Sequence, residues 1–186
     1  VVLTGGSEKP RDLPLPGRDL NGVHFAMEYL TQSNRRVAGE KYAEPDILST
    51  DKNVLVIGGG DTGSDCVGTS IRQNAASITQ IEIMPKPPEK EDKLATWPDW
   101  PNKLRTSYSH EEGCERKWSL TTKDCIGDAT GNVQAALSVE VSWARDDKGQ
   151  GPMSEVAGPE FEVPGDTVCI AMCSVHPVHA PMTAFW

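Results

Sequence analysis

Residues 54–63 read Val-Leu-Val-Ile-Gly-Gly-Gly-Asp-Thr-Gly. Gly58, Gly60 and Gly63 stand at G-x-G-x-x-G spacing after a short apolar run and before a helix-like segment, Ser64 to Gln73. That spacing suits the pyrophosphate of a dinucleotide. Gly58 makes the tight turn out of a strand, Gly60 lets backbone approach the pyrophosphate, and Gly63 allows the helix to pack closely on the strand. Backbone N–H groups at the helix start, with Asp61 and Thr62 in its first turn, then face the phosphates. A carboxylate about 20 residues beyond the glycines accepts the ribose 2′-hydroxyl in such sites, and Glu82 stands there. Its charge repels a 2′-phosphate and therefore favours NADH over NADPH. The candidate nucleotide-binding residues are Gly58, Gly59, Gly60, Asp61, Thr62, Gly63 and Glu82. Each has a plainer alternative: a strand–helix turn without ligand, a helix start at Asp61 and Thr62, a solvated charge at Glu82.

Other chemically suggestive residues carry less. His110-Glu111-Glu112 invites a metal or acid–base reading, but adjacent residues on a loop rarely converge on one ion. His176 and His179 fall in a proline-containing loop and are treated alike. Cys169 and Cys173 have C-x-x-x-C spacing, yet a zinc or iron–sulfur site needs further ligands at suitable spacing. Both are expected to be buried structural thiols. Five widely spread cysteines argue against a disulfide framework and suit a reducing cytosol. Asp65 favours the helix start electrostatically, and Arg72 reads as an exposed helix residue. Lys86 is the cation on offer to a 2′-phosphate. Trp97 and Trp100 either cap a cofactor or, as expected here, pin their loop to its own domain.

The elements that would position these residues form a strand–helix–strand unit, with strands at Val54–Ile57 and Ile78–Met84 and a right-handed crossover. Upstream, Val1–Leu3 resembles a strand end, Thr4-Gly5-Gly6 a turn, and residues 9–17 a proline-punctuated loop. Apolar residues at 23, 26, 27 and 30 predict a helix over Val23–Leu30 capped by Asn21. Arg35–Leu48 reads as a polar connection. Pro85–Pro101 holds five prolines and predicts a long ordered loop or lid. Trp118–Ile126 and Val133–Ala144 predict strands joined by a hairpin turn at Asp128–Asn132. Asp146–Pro152 reads as another turn. Phe161–Pro164 leads into a last buried strand, Asp166–Met172. The early strands suit a parallel sheet with helices and the later ones an antiparallel meander.

The chain has 186 residues and a formal net charge of -9, which argues against nucleic acid or an anionic membrane surface as partner. No run approaches the roughly 20 apolar residues of a membrane helix, and no signal peptide is visible. The chain opens on Val-Val-Leu and closes on Ala-Phe-Trp, so both ends read as cuts through a larger protein.

Residues 58–73 closely resemble the nicotinamide-binding segment of the glutamate synthase small (beta) subunit. The likeness continues through Glu82-Ile83-Met84-Pro85-Lys86-Pro87-Pro88, Trp97-Pro98-x-Trp100-Pro101 and Ser109-His110-Glu111-Glu112-Gly113. It also includes Lys9–Pro14 and Pro16-Gly17-Arg18, and so covers most of the chain. The resemblance implies a cytosolic, cytoplasmic flavoenzyme whose nicotinamide domain is inserted in an FAD domain. Residues 1–20 would be an edge of the FAD domain, 21–170 the NAD(P)H-binding domain, and 171–186 a return segment. Thr4 and Gly5 would belong to the turn that approaches FAD. Hydride would pass from NADH or NADPH to FAD, with no catalytic side chain required in this half. Electrons would travel through iron–sulfur clusters to FMN on a large subunit, where glutamine-derived ammonia and 2-oxoglutarate become glutamate. Relatives that use NADPH place arginines where Ile83 and Met84 stand, which again favours NADH. Asn74 replaces an expected glycine, and Asn tolerates the left-handed conformation. Cys173-Ser174 stands where Gly-Phe is expected, which bears on cofactor placement. The alternatives are another FAD and iron–sulfur pyridine-nucleotide oxidoreductase, separable by its gene neighbour, or a non-catalytic nucleotide-binding fragment. The isolated chain is expected to be inactive.

Overall fold

The structure is a computed structural model that describes residues 6–41, 45–144 and 151–178. In chain order the elements are β1 (Lys9–Pro10), β2 (Val23–Phe25), α1 (Ala26–Val37), β3 (Asn53–Ile57), α2 (Asp61–Arg72) and β4 (Ser77–Glu82). They continue with α3 (Lys93–Thr96), α4 (Tyr108–Glu112), β5 (Glu115–Trp118), β6 (Leu120–Gly127), β7 (Val133–Trp143) and β8 (Met153–Glu155). β9 (Phe161–Pro164), β10 (Thr167–Ile170) and β11 (Ser174–His176) complete the described chain.

Five strands form a parallel sheet in the order β2-β10-β3-β4-β5. β3 and β10 lie at its middle and are apolar almost throughout, as strands covered on both faces must be. Alternation divides their side chains between two cores. Val54, Val56, Cys169 and Ala171 face α1 and α2, packing with Tyr29, Cys66 and Val67. Leu55, Ile57, Val168 and Ile170 face the other way, onto Leu120, Cys125, Ala136 and Val163 of the antiparallel strands. There β7 pairs antiparallel with β6, β8 and β9. The result is three layers: helices, parallel sheet, antiparallel sheet. Burying each of the larger side chains contributes about 1.5–3 kcal/mol. One polar group bridges the helical layer. The Tyr29 hydroxyl, wholly buried, bonds Ser49 Oγ at 2.9 Å and Ser70 Oγ at 3.2 Å. Leu13, Leu15 and Leu20 pack against the inter-sheet core.

Several sequence expectations shift. Val23–Phe25 is an edge strand and not the start of a helix, because Val23 and Phe25 pair with β10. The helix begins at Ala26, its N-cap is Phe25, and Glu28 Oε2 accepts the Phe25 N–H at 3.0 Å. Asn21 is therefore not the cap; it forms a bridge with Asn132. α1 runs on to Val37, into the stretch expected to be a connection. The single strand expected over Trp118–Ile126 is two strands in two sheets. Ser119 separates them with φ +56, turning the chain from one layer to the other. Asn74 does adopt the left-handed conformation, at φ +62. Cys66, Cys125 and Cys169 are buried free thiols, and the adjoining Cys169 thiol and burial push the Cys66 thiol up. Cys173 is exposed and left-handed, at φ +64, contrary to the buried thiol expected. The proline-rich segment is a loop with one short helix, α3, and Trp97 and Trp100 are 83% and 76% exposed. They do not pin it. Val1–Leu3, Thr4, Gly5, His179, the chain end, and most of the turn expected at 146–152 lie outside the described residues. Among the described residues no helix is long and apolar enough to cross a membrane.

Candidate nucleotide site

The sheet sets the place. β3 lies between β10 and β4, so its carboxyl end opens into a crevice beside the ends of both neighbours. The glycine turn occupies that crevice. Gly58 takes φ +125, and a Cβ there would overlap the Ala171 carbonyl at the end of β10. Its own N–H donates to Ile81 O at 2.9 Å. A Cβ on Gly63 would overlap the Gly58 carbonyl and lie 2.7 Å from Gln80 Nε2, so this glycine sets how closely α2 sits on the turn.

Gly60 differs from both. Its φ of -81 and ψ of -174 are ordinary for any residue, and a Cβ there would meet nothing within 4 Å. Neither conformation nor packing within the chain demands glycine. A side chain would, however, fill the open space in front of the turn. Gly60 is also the N-cap of α2 and supplies no side-chain acceptor, so the first N–H groups of the helix have no cap from it.

Glu82, at the end of β4, turns back onto this loop. Its Oε2 accepts the Gly59 N–H at 2.6 Å and its Oε1 accepts the Met84 N–H at 3.0 Å. Two residues earlier on the same face, Gln80 Nε2 donates to Gly58 O at 2.8 Å. The carbonyl and the N–H of one peptide unit, Gly58–Gly59, are thus held from the same strand. Gln80 is itself 2% exposed, and its Oε1 bonds His110 Nε2 at 2.8 Å.

The turn separates two clefts. One, about 450 Å³, runs past Glu82 between Lys86, Lys103, Arg105 and Arg116. Lys86 and Arg116 lie over the Trp118 ring at 5.4 and 5.1 Å. Arg116 Nη1 also donates to Arg105 O at 3.1 Å. The other cleft, about 400 Å³, is more apolar, lined by Leu13, Ile83, Leu120, Met172 and Cys173 among others. Gly59, Gly60 and Glu82 line both clefts, so the glycine turn faces a cation-rimmed space on one side and an apolar one on the other.

The structure therefore brings together Gly58, Gly59, Gly60, Asp61, Thr62, Gly63 and Glu82. Thr4 and Gly5 lie outside the described residues. Asp65 is exposed on α2. Arg72 pairs with Glu112 at 2.7 Å, away from the turn. His110 bonds Gln80 and Ser107. Among the described residues no group of His, Cys, Asp or Glu is arranged to hold a metal ion. Gln80, Arg116 and Trp118 escaped the sequence reading. Gln80 leaves no signal in the sequence, since β4 reads Ser-Ile-Thr-Gln-Ile-Glu and its polar residues look alike until the fold buries Gln80.

No family model matches the chain. Over 184 residues, 97% of its length, it is 42% identical to glutamate synthase [NADPH] small chain of Mycobacterium tuberculosis. Over 179 residues it is 39% identical to glutamate synthase [NADH] of Schizosaccharomyces pombe. The chain is homologous to part of glutamate synthase. It spans 36% of the mycobacterial small chain and 8% of the fission-yeast glutamate synthase. Among solved structures, FprA of Mycobacterium tuberculosis in complex with NADPH matches with a TM-score of 0.58, at 14% identity, covering 91% of this chain and 48% of that one. A NAD-dependent persulfide reductase from A. fulgidus matches at 0.53 and 16% identity, covering 95% and 26%. At those identities the likeness is one of fold alone. The layered parallel and antiparallel sheets of this chain are the α/β, Rossmann-like architecture that the glycine spacing predicts.

Proposed function

We propose that this chain is the nicotinamide-nucleotide-binding part of a glutamate synthase, holding NAD(P)H so that its hydride passes to FAD. The observation that carries the proposal is Gly60, a glycine required neither by its backbone angles nor by any neighbour, and facing open space beyond the carboxyl end of β3. Relatives named as NADPH- and NADH-dependent glutamate synthases support the chemistry. In this reading residues 21–170 bind the nucleotide, while residues 1–20 with Thr4 and Gly5, and residues 171–186, belong to the FAD domain's edges.

The residues present suit a dinucleotide. The α2 N-terminus and Gly60 N–H face the pyrophosphate, the cations around Glu82 complement its charge, and the apolar cleft receives the nicotinamide. Glu82 retains lone pairs for ribose hydroxyls and favours NADH. Lys86 and Arg116, close beside it, favour a 2′-phosphate and carry the second reading. FAD, when bound, accepts the hydride as a two-electron carrier. This chain binds, orients and excludes water, and no side chain of it moves a proton. The FAD, the iron–sulfur clusters, the FMN and the large subunit that forms L-glutamate from L-glutamine and 2-oxoglutarate belong to the same proposal, set in the cytoplasm.

Calorimetric titration of the intact protein with NADH, and separately with NADPH, tests it. Saturable binding of either supports the proposal, and tighter binding of NADH supports the role of Glu82. Folded protein that binds neither refutes it.

A further inference from the structure

We propose that His110 and Gln80 are positioning residues for the nucleotide loop, a relay that sets the Gly58–Gly59 peptide and loosens it when His110 takes up a proton. The inference rests on the nucleotide-binding reading above and adds a determinant of affinity outside the glycine motif.

Hydrogen bonds in the relay leave one consistent set of roles. Gln80 Nε2 must donate to Gly58 O, because a carbonyl only accepts. That fixes the amide so that Gln80 Oε1 faces His110, and His110 Nε2 must carry the proton it shares at 2.8 Å. Nδ1 then accepts. It lies 3.2 Å from the Ser107 N–H and 3.1 Å from Ser107 Oγ. The neutral Nε2–H tautomer is thus read off the contacts alone. A second proton would go on Nδ1, where it meets the Ser107 N–H donor head-on. Ser107 is held as N-cap of α4, with its hydroxyl against Ser64 Oγ on α2, so the ring gives way and the Nε2–H that serves Gln80 moves with it.

Every charged group near the imidazole bears on this. Burial pushes the imidazole down, and the Arg116 charge on β5 opposes protonation in the same sense. From β4, Glu82 is engaged by the Gly59 and Met84 N–H groups. On α4, Glu112 is paired with Arg72 of α2, and Glu111 is exposed. Both protonation states carry the Nε2–H that Gln80 accepts, but only the neutral ring leaves Nδ1 free to accept the Ser107 N–H. The relay ends on the nucleotide loop: Gln80 holds the carbonyl of the same peptide whose N–H Glu82 holds. Losing one anchor frees that peptide to rotate, and with it the amide next to Gly60. Because the folded protein favours neutral His110, stability falls as pH drops below the ordinary histidine value of 6.5 and the folded state resists the proton.

The test uses the intact protein and ADP-ribose, which carries the pyrophosphate without redox chemistry. Three proteins are compared: wild type, His110→Gln and His110→Leu. A glutamine amide can donate to Gln80 from near the Nε2 position and does not titrate. Affinity is read by calorimetry between about pH 7.5 and 5.5, and the Gly59 amide resonance is followed by NMR without ligand. Wild-type affinity weakens severalfold on acidification, while His110→Gln stays level. His110→Leu binds about tenfold more weakly even at the higher pH, the loss of one buried hydrogen bond. The Gly59 amide of wild type shifts along the His110 titration and that of His110→Gln does not. An equal acid slope in wild type and His110→Gln overturns the relay, as does wild-type affinity with an unmoved Gly59 amide in His110→Leu. A Gly59 amide that follows His110 in a protein that binds no ADP-ribose upholds the relay and removes the nucleotide reading instead.

Discussion

The same substitution at two glycines three residues apart should separate ligand from fold. At Gly60 an alanine Cβ meets no atom within 4 Å, and the backbone angles suit any residue. Losing glycine as N-cap costs some helix stability, while the stiffer unfolded chain returns about 0.4–1 kcal/mol. The net change is within about 1 kcal/mol, a shift in Tm of about 2–4 °C for a chain of this size. The methyl group would nevertheless stand where a pyrophosphate must approach. Forfeiting two charge-assisted N–H bonds at about 1.5–3 kcal/mol each weakens binding by at least about 100-fold. At Gly63 the methyl would overlap the Gly58 carbonyl and crowd Gln80 Nε2. Overpacking of about 1–3 kcal/mol there outweighs the gain of about 1 kcal/mol in helix propensity. Scanning calorimetry and nucleotide titration on both variants decide the matter. Gly60→Ala should melt like wild type and fail to bind; Gly63→Ala should lose both. Should Gly60→Ala bind NADH within about threefold of wild type, the opening at Gly60 is not a phosphate site and the reasoning fails.

Three further outcomes follow from the geometry. Glu82→Gln removes the charge beside the ribose position, so calorimetry should show NADH binding weakened and NADPH binding weakened less or improved. Cys173→Gly relieves a left-handed residue at φ +64; after the added freedom of the unfolded chain, denaturation should show a gain of up to about 1 kcal/mol. Tyr29→Phe strips the bonds to Ser49 and Ser70 from a fully buried site, and urea unfolding should register a loss of about 1–2 kcal/mol.

The glycine turn, its strand and its helix were legible because each leaves a local signature: an apolar run, a fixed glycine spacing, a helical period. Val23–Phe25 was not, since its apolar spacing fits a helix and only the partner strand β10, far along the chain, makes it a strand. The kink at Ser119 is equally silent, because nothing about serine announces φ +56. Glu82 was found through its distance from the glycines. His110 was seen and read as inert, because its partner Gln80 is brought to it by the fold and not by sequence proximity. The cations of the charged cleft come from two separate stretches, Lys86 to Arg105 and Arg116, and form one rim only when β5 pairs with β4. The exposure of Trp97 and Trp100 likewise reflects the path of a loop that sequence patterns do not describe.

β1 and β11 run side by side, with Lys9 opposite His176 and the Arg11 N–H donating to Cys173 O at 3.0 Å. The segments that lead into and out of the three-layered body are therefore joined as a two-stranded ribbon and not as two separate cords. Such a ribbon resists stretching and shear, but it bends and twists easily because two-stranded ribbons carry the strongest twist. Cys173 sits at its root, one residue from Met172 and two from Ala171, whose carbonyl rests against Gly58. A twist of this ribbon arrives first at the end of β10 and then at the turn, so the ribbon and the crevice share one pivot.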